Sequence, residues 1–64
     1  MMEYRVKEIR EAKNIKQYDL AIKAGISREM LDAIEKGRIK ILSLETLFRI
    51  AEVLGVTTGH ILRP

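Results

Sequence analysis

Residues 17–36 read QYDLAIKAGISREMLDAIEK, and this stretch decides the fold. In its first half, three apolar residues at positions i, i+1 and i+4 share one helix face: Leu20, Ala21 and Ala24. Gly25 then ends the helix, because glycine adopts the left-handed conformation of a helix C-terminus without steric cost. Ser27 is a good N-cap for a second helix. The stretch therefore predicts two short helices joined by a tight turn.

The second of these helices carries Leu31 and Ile34 three residues apart, so both face inward. Ala21 matters for its size, since a bulky side chain there would hold two steeply crossing helices apart. Two helices joined in this way form a helix-turn-helix, whose second helix can enter the major groove of DNA.

Apolar spacing predicts three further helices. The first spans residues 1–13, with Met2, Val6 and Ile9 on its inner face and Asn14 as a left-handed C-cap. Ser43 caps a helix over residues 44–54, whose broad apolar face comprises Leu44, Leu47, Phe48, Ile50, Ala51 and Leu54. Thr57 or Thr58 caps a short fifth helix, which turns Ile61 and Leu62 inward.

Some apolar residues lie outside these faces and leave alternatives open. Tyr18 and Ile22 either pack on the first helix, or Tyr18 presents its hydroxyl to a DNA backbone. Three residues of the loop before the fourth helix either cover the edge of the core or form a protein contact: Ile39, Ile41 and Leu42.

Length and composition predict one small domain over residues 1–64. The chain contains no cysteine, which excludes disulfides and thiolate metal sites. Charged residues interrupt any apolar start, and no apolar run approaches the ~20 residues that span a bilayer, so we expect a soluble, cytoplasmic protein without a membrane partner. The formal charge of +3 and the pI near 9.5 favour an anionic partner.

The sequence contains no catalytic constellation. There is one histidine, His60, without other metal-ligating residues at suitable spacing, and there is no glycine-rich phosphate loop. We therefore expect neither an enzyme nor a cofactor, a metal site or a small-molecule ligand.

The chain resembles the phage repressor and Cro-type helix-turn-helix family, also called the xenobiotic-response-element family. The resemblance covers roughly residues 4–62. It rests on Arg10, Gln17, Leu20-Ala21, Gly25-Ile26-Ser27, Ile34-Glu35-Lys36-Gly37, Ser43-Leu44-Glu45-Thr46-Leu47, Ile50-Ala51 and Leu54-Gly55-Val56. It implies an all-α, compact five-helix domain that binds double-stranded DNA in a sequence-specific way, as a small transcriptional repressor does.

The resemblance also implies roles for individual residues. Base edges would be contacted by Ser27, Arg28, Glu29, Asp32 and Ala33, and phosphates by Lys16, Gln17, Lys36, Arg38 and Lys40. Arg28 is the best candidate for base recognition, since arginine can bond guanine through two hydrogen bonds. Arg10 would form a structural ion pair with Glu35.

Two departures from the family pattern favour a second hypothesis. Glu29 and Asp32 are acids where the family carries neutral or basic residues, and Leu42 replaces a common proline. Under this second hypothesis, the chain is a protein-interaction or antitoxin-like module that kept the fold but binds DNA weakly or not at all. Titration with random duplex DNA at increasing salt discriminates the two.

A third departure concerns Lys16, which cannot cap the second helix as the family's Thr or Asn does.

The DNA-binding hypothesis includes a homodimer on a palindromic operator, because one domain of this size offers few base contacts. The possible dimer interface comprises the fifth helix together with the loop or Phe48: Ile39, Ile41, Leu42, Phe48, Thr58 and Ile61.

Overall fold

Five helices follow one another in the computed structural model, which describes residues 3–63. They are α1 (Val6–Ala12), α2 (Gln17–Ala24), α3 (Arg28–Glu35), α4 (Leu44–Leu54) and α5 (Thr58–Ile61). Two short strands, β1 (Glu3–Tyr4) and β2 (Leu62–Arg63), pair in an antiparallel register. The fold is therefore the expected all-α arrangement of five helices, with a minimal pairing of the two ends of the described chain.

The core consists of aliphatic side chains from all five helices. The buried residues are Val6, Ile9, Leu20, Ala21, Ala24, Leu31, Ile34, Leu47, Ile50, Ala51, Leu54 and Ile61. α2 packs against both α3 and α4, so it lies between the helix that was predicted to meet DNA and the longest helix of the core. None of the described helices is long and apolar enough to cross a membrane.

The helix ends follow the local signals in the sequence. Ser27, Ser43 and Thr57 are N-caps, and each side-chain oxygen accepts a hydrogen bond from a backbone N–H three residues on, at 3.0–3.2 Å. Gly25 ends α2 in the left-handed conformation, at φ 72°. Asn14 adopts the same region after α1, at φ 58°. These predictions of helix boundaries are confirmed.

The first helix is shorter than predicted. It begins at Val6 rather than at residue 1, because Tyr4 pairs with Leu62 in the two-stranded sheet and the N–H of Arg5 donates to the carbonyl of Ile61 at 2.8 Å. The predicted contribution of Met2 to its inner face lies outside the described residues.

Five large apolar side chains of the described residues are exposed: Tyr18, Ile22, Ile41, Leu44 and Phe48. Leu44 and Phe48 belong to the predicted apolar face of α4 but are exposed, whereas the core contacts of that helix come from four other side chains: Leu47, Ile50, Ala51 and Leu54. Tyr18 and Ile22 are also exposed, so neither is buried against the first helix.

Some apolar residues of the loop between α3 and α4 pack against the core, and one is exposed to solvent. Ile39 and Leu42 are half-buried and pack against the core, whereas Ile41 is 87% exposed. The Tyr4 hydroxyl fixes this loop, since it donates to the carbonyl of Lys40 and accepts from the N–H of Leu42.

Ile61 corrects the predicted dimer interface. Its side chain is fully buried in the core of its own chain, so it is not available to a second copy. The physical reason is that α5 is a single turn whose inward side closes the core beside α4.

Candidate nucleic-acid interface

The leading end of α3 faces solvent. Ser27, Arg28 and Glu29 are all exposed, whereas Leu31 and Ile34 on the opposite side of the helix are buried. The helix is therefore anchored along one side and presents polar side chains at its N-terminal end. A rod with this geometry can lie across base-pair edges in the major groove.

The turn before α3 sets its angle to α2. Gly25 provides the left-handed residue, and the N–H of Ile26 donates back to the carbonyl of Ala21 at 3.0 Å. Ala21 itself is buried, and its small side chain allows α2 to contact α3 closely. The turn is thus fixed by backbone hydrogen bonds and close packing.

A buried ion pair holds the far end of α3. The guanidinium of Arg10 donates to both carboxylate oxygens of Glu35, from Nε at 2.7 Å and from Nη2 at 3.1 Å. Its Nη1 donates to the carbonyl of Ile15 at 2.9 Å. The two side chains are 11% and 3% exposed. The hydrogen bond to Glu35 raises the pKa of Arg10, against the opposing effect of burial, so the guanidinium stays charged.

Gln17 connects this ion pair to the exposed end of α3. Its side-chain amide donates to Glu35 Oε1 at 3.1 Å and to Asp32 Oδ1 at 3.3 Å. Its carbonyl oxygen accepts from Arg28 Nε at 3.2 Å. One side chain from the first turn of α2 therefore contacts three residues spread over the length of α3.

Asp32 is held from two sides. Lys36 Nζ lies 3.1 Å from its Oδ2, and Gln17 donates to the other oxygen. The hydrogen bond from Lys36, followed by that from Gln17, lowers the pKa of the Asp32 carboxyl below its ordinary value. The carboxylate is therefore occupied by intramolecular partners in the free protein.

The residues predicted to meet bases occupy one surface with different exposure. A shallow cleft between α2 and α3 is lined by Gln17, Arg28, Glu29 and Asp32. Ala33 is half-buried on the next turn. Ser27 uses its side-chain oxygen to cap α3. Sequence reasoning missed the bond between Arg28 and Gln17, because the distance between two helices is not visible in either helix alone.

The residues predicted to meet phosphates lie at the start of α2, after α3 and in the loop that follows α3. Lys16 precedes α2, Lys36 follows α3, and Arg38 and Lys40 lie in the loop beyond it; all four are exposed. Lys16 is the N-cap of α2 and makes no side-chain capping bond, in agreement with its chemistry. Gln17 differs from them, since both hydrogens of its amide are already donated within the protein.

Comparison with known families matches residues 6–61 to the helix-turn-helix family (HTH_3). The chain belongs to this family. An uncharacterised HTH-type transcriptional regulator of Methanocaldococcus jannaschii is 44% identical over 55 residues, which cover 86% of this chain and 82% of that protein.

Solved structures agree with this assignment. The DNA complex of SinR, the master regulator for biofilm formation, from Bacillus subtilis, matches with a TM-score of 0.81 and 31% identity over 86% of this chain and 87% of that one. A chain of the SinR–SinI complex gives 0.82 at 30% identity over 88% of this chain, which spans only 54% of that chain. A Bacteroides fragilis protein gives 0.89 at 25% identity over 98% of this chain and 100% of that one.

We expect Glu35→Gln to destabilise the fold by ~3–5 kcal/mol, because it leaves the buried charge of Arg10 without its counter-ion. Urea unfolding measures the loss. The matched control is Glu45→Gln, which removes an exposed ion pair with Arg49 and should cost no more than ~0.5 kcal/mol. Equal losses in the two variants would contradict a buried pair in solution.

Asp32 should give the contact between α2 and α3 a pH dependence. A carboxyl whose pKa is lowered by folding stabilises the protein above its unfolded pKa of ~3.9, and this contribution is lost as the pH falls through the folded pKa. We expect Asp32→Asn to be less stable than wild type at pH 7 and the two unfolding free energies to converge below pH ~4.

Urea unfolding at a series of pH values measures this difference. The control is Asp19→Asn, which lies on α2 but makes no hydrogen bond with Gln17. It shows how far the loss of a nearby carboxylate by itself changes the dependence of the unfolding free energy on pH. A difference between Asp32→Asn and wild type that stays constant from neutral to acid pH would contradict the role given to Asp32.

Proposed function

We propose that the protein is a transcriptional regulator that binds double-stranded DNA in a sequence-specific way and inserts the leading end of α3 into the major groove. The observation that carries this proposal is the combination of an exposed N-terminal turn, at Ser27, Arg28 and Glu29, with a helix fixed on its inner side. Membership of the helix-turn-helix family and the similarity to SinR in its complex with DNA support it.

Arg28 is the principal base reader in this proposal. Among residues 3–63 it donates through Nε to Gln17, which leaves the two Nη groups for guanine O6 and N7. Gln17 thereby restricts the rotation of the guanidinium before DNA arrives. Glu29 lies one residue further on and can accept a hydrogen bond from a cytosine amino group. Ser27, Asp32 and Ala33 complete the surface next to the bases.

The acids of α3 are less repulsive to DNA than their number suggests. Glu35 is neutralised by Arg10, and Asp32 is paired with Lys36 and hydrogen-bonded to Gln17. Within the described chain, Glu29 is the one acid of α3 without an ion pair. This arrangement supports DNA binding over the alternative of an interaction module that lost it.

Affinity for the DNA backbone comes from the basic residues that flank α2 and α3 in the chain. Lys36, Arg38 and Lys40 follow α3 without an intervening acid, and Lys16 stands at the start of α2. The N–H groups at that start receive no side-chain cap, and a DNA phosphate can accept from them. Gln17 joins these phosphate contacts if one of its amide hydrogens leaves Asp32 or Glu35.

The proposal includes a homodimer on a palindromic operator. One α3 offers few side chains to bases, and two copies related by a two-fold axis read two half-sites about one helical turn apart. Of the residues predicted at the dimer interface, the structure leaves Ile41 and Phe48 exposed and Ile39, Leu42 and Thr58 partly exposed.

Selection of bound duplexes from a random pool tests the function. We expect enrichment of a site with two-fold symmetry, and an affinity for it that falls steeply as salt increases, because phosphate contacts release counter-ions. A scrambled duplex of equal length is the control for sequence specificity. Absence of enrichment, together with equal weak binding of every duplex, would favour the interaction-module hypothesis.

Arg28→Ala and Lys40→Ala form a matched pair that separates base from backbone contacts. We expect Arg28→Ala to cost ~1–3 kcal/mol on the selected site and to relax base preference at one position of each half-site. Lys40→Ala should weaken all duplexes alike and reduce the salt slope by about one.

Repeating the selection with each variant, and measuring affinity at several salt concentrations, separates these effects. An unchanged preference in Arg28→Ala would remove Arg28 from base recognition. A changed preference in Lys40→Ala would show that Lys40 does more than contact phosphate.

A further inference from the structure

One face of α4 presents apolar side chains to solvent. Leu44 is 65% exposed and Phe48 is 58% exposed, and they lie one turn apart on the same face. Ile41, in the loop just before the helix, is more exposed still. A shallow groove on this face is lined by Leu44, Phe48, Glu45, Arg49 and Glu52. We call Ile41, Leu44 and Phe48, with the flanking Glu45 and Arg49, the α4 surface.

The charged residues beside these apolar residues can pair with the same residues of a second copy. Glu45 and Arg49 form an ion pair within α4 at 3.1 Å, and their side chains are 74% and 49% exposed. If two α4 helices pack antiparallel about a two-fold axis, Glu45 of each copy faces Arg49 of the other. The same arrangement brings Leu44 of each copy near the other copy's Phe48. An acid and a base four residues apart therefore satisfy the requirement of a symmetric interface, in which residue i meets j and j meets i.

We propose that the α4 surface is the homodimer interface and that its occupant is a second copy of this chain, packed antiparallel along α4. This inference rests on the homodimer of the proposed function and specifies where the two copies meet.

The size of the surface indicates how strong the contact is. Three large side chains with these exposures amount to roughly 400 Å² of apolar area per copy, taking ~200 Å² for each whole side chain. A symmetric pair then buries about 800 Å² of apolar surface, which at an apolar share of ~65% corresponds to roughly 1,200 Å² in total, the lower end of the range for stable interfaces. The dimer is therefore weak in free solution and becomes populated when two adjacent half-sites raise the local concentration.

α2 carries a similar pattern and is the main competitor. Tyr18 and Ile22 are exposed one turn apart, and Asp19 and Lys23 flank them with the same order of charges. Two observations favour α4. Among the described residues, the flanking acid and base form an ion pair on α4 but not on α2. In addition, α2 begins at the cleft that is proposed to face DNA, which Gln17 lines.

Charge variants test the interface. Glu45→Arg makes both flanking positions basic, and Arg49→Glu makes both acidic, so each variant alone should self-associate less than wild type. An equimolar mixture restores opposite charges across the two-fold axis. We expect sedimentation equilibrium of the free chain at millimolar concentration to show weaker dimers for each variant alone and recovery in the mixture.

The second readout is the advantage of a duplex with two half-sites over a duplex with one. For wild type we expect the affinity for the two-site duplex to exceed that for the one-site duplex by ~10²-fold. This ratio of affinities should drop by tenfold or more in either charge variant and in Phe48→Ala, and it should recover in the mixture of the two charge variants. Binding to the single half-site serves as the reference for each variant, since an added charge also changes general affinity for DNA. Circular dichroism verifies that each variant is folded.

Asp19→Lys and Lys23→Asp are the matched control pair on α2. Complementation by this pair, but not by the α4 pair, would overturn the proposal. So would a wild-type chain that stays monomeric both free and on the two-site duplex. If no duplex binds at all, the proposed function fails, but sedimentation of the free charge variants still decides the interface.

Discussion

The rest of the structure depends on the buried ion pair between Arg10 and Glu35. Burying either charge without a partner is costly, so Arg10 and Glu35 each require the other. The carbonyl of Ile15 accepts a further hydrogen bond from Arg10, and the amide of Gln17 donates one to Glu35. The pair joins α1 to the last residue of α3, while Ser27 caps the first turn at the opposite end. Because both ends of α3 are fixed, its exposed side keeps one orientation relative to the core.

Local chemistry explains why most of the fold could be predicted. The caps at Ser27 and Ser43 and the left-handed residues at Gly25 and Asn14 act within three or four residues, so the sequence carries them directly. The order of the helices follows from these signals. Predicted site residues on α2 and α3 likewise fall on one surface, because the short turn between the helices leaves few ways to connect them.

Contacts between distant segments could not be predicted in the same way. The start of α1 depends on Tyr4 pairing with Leu62, almost the whole chain away, and no local pattern marks it. Leu44 and Phe48 share the helical spacing of buried neighbours such as Leu47, and spacing does not reveal how wide a face the core can cover. The same limit hid the bond between Arg28 and Gln17, which depends on how two helices cross.

The distribution of charge on α3 separates affinity from specificity. Internal partners neutralise Glu35 and Asp32, so Arg28 and Glu29 remain as the exposed charges at the leading end. A carboxylate near phosphates is costly unless it accepts from a donor such as a cytosine amino group. In the proposed complex, Glu29 therefore penalises most DNA sequences more than it rewards one, and exclusion of wrong partners is an established route to specificity. In the proposed complex, Lys16, Lys36, Arg38 and Lys40 supply affinity that does not depend on sequence.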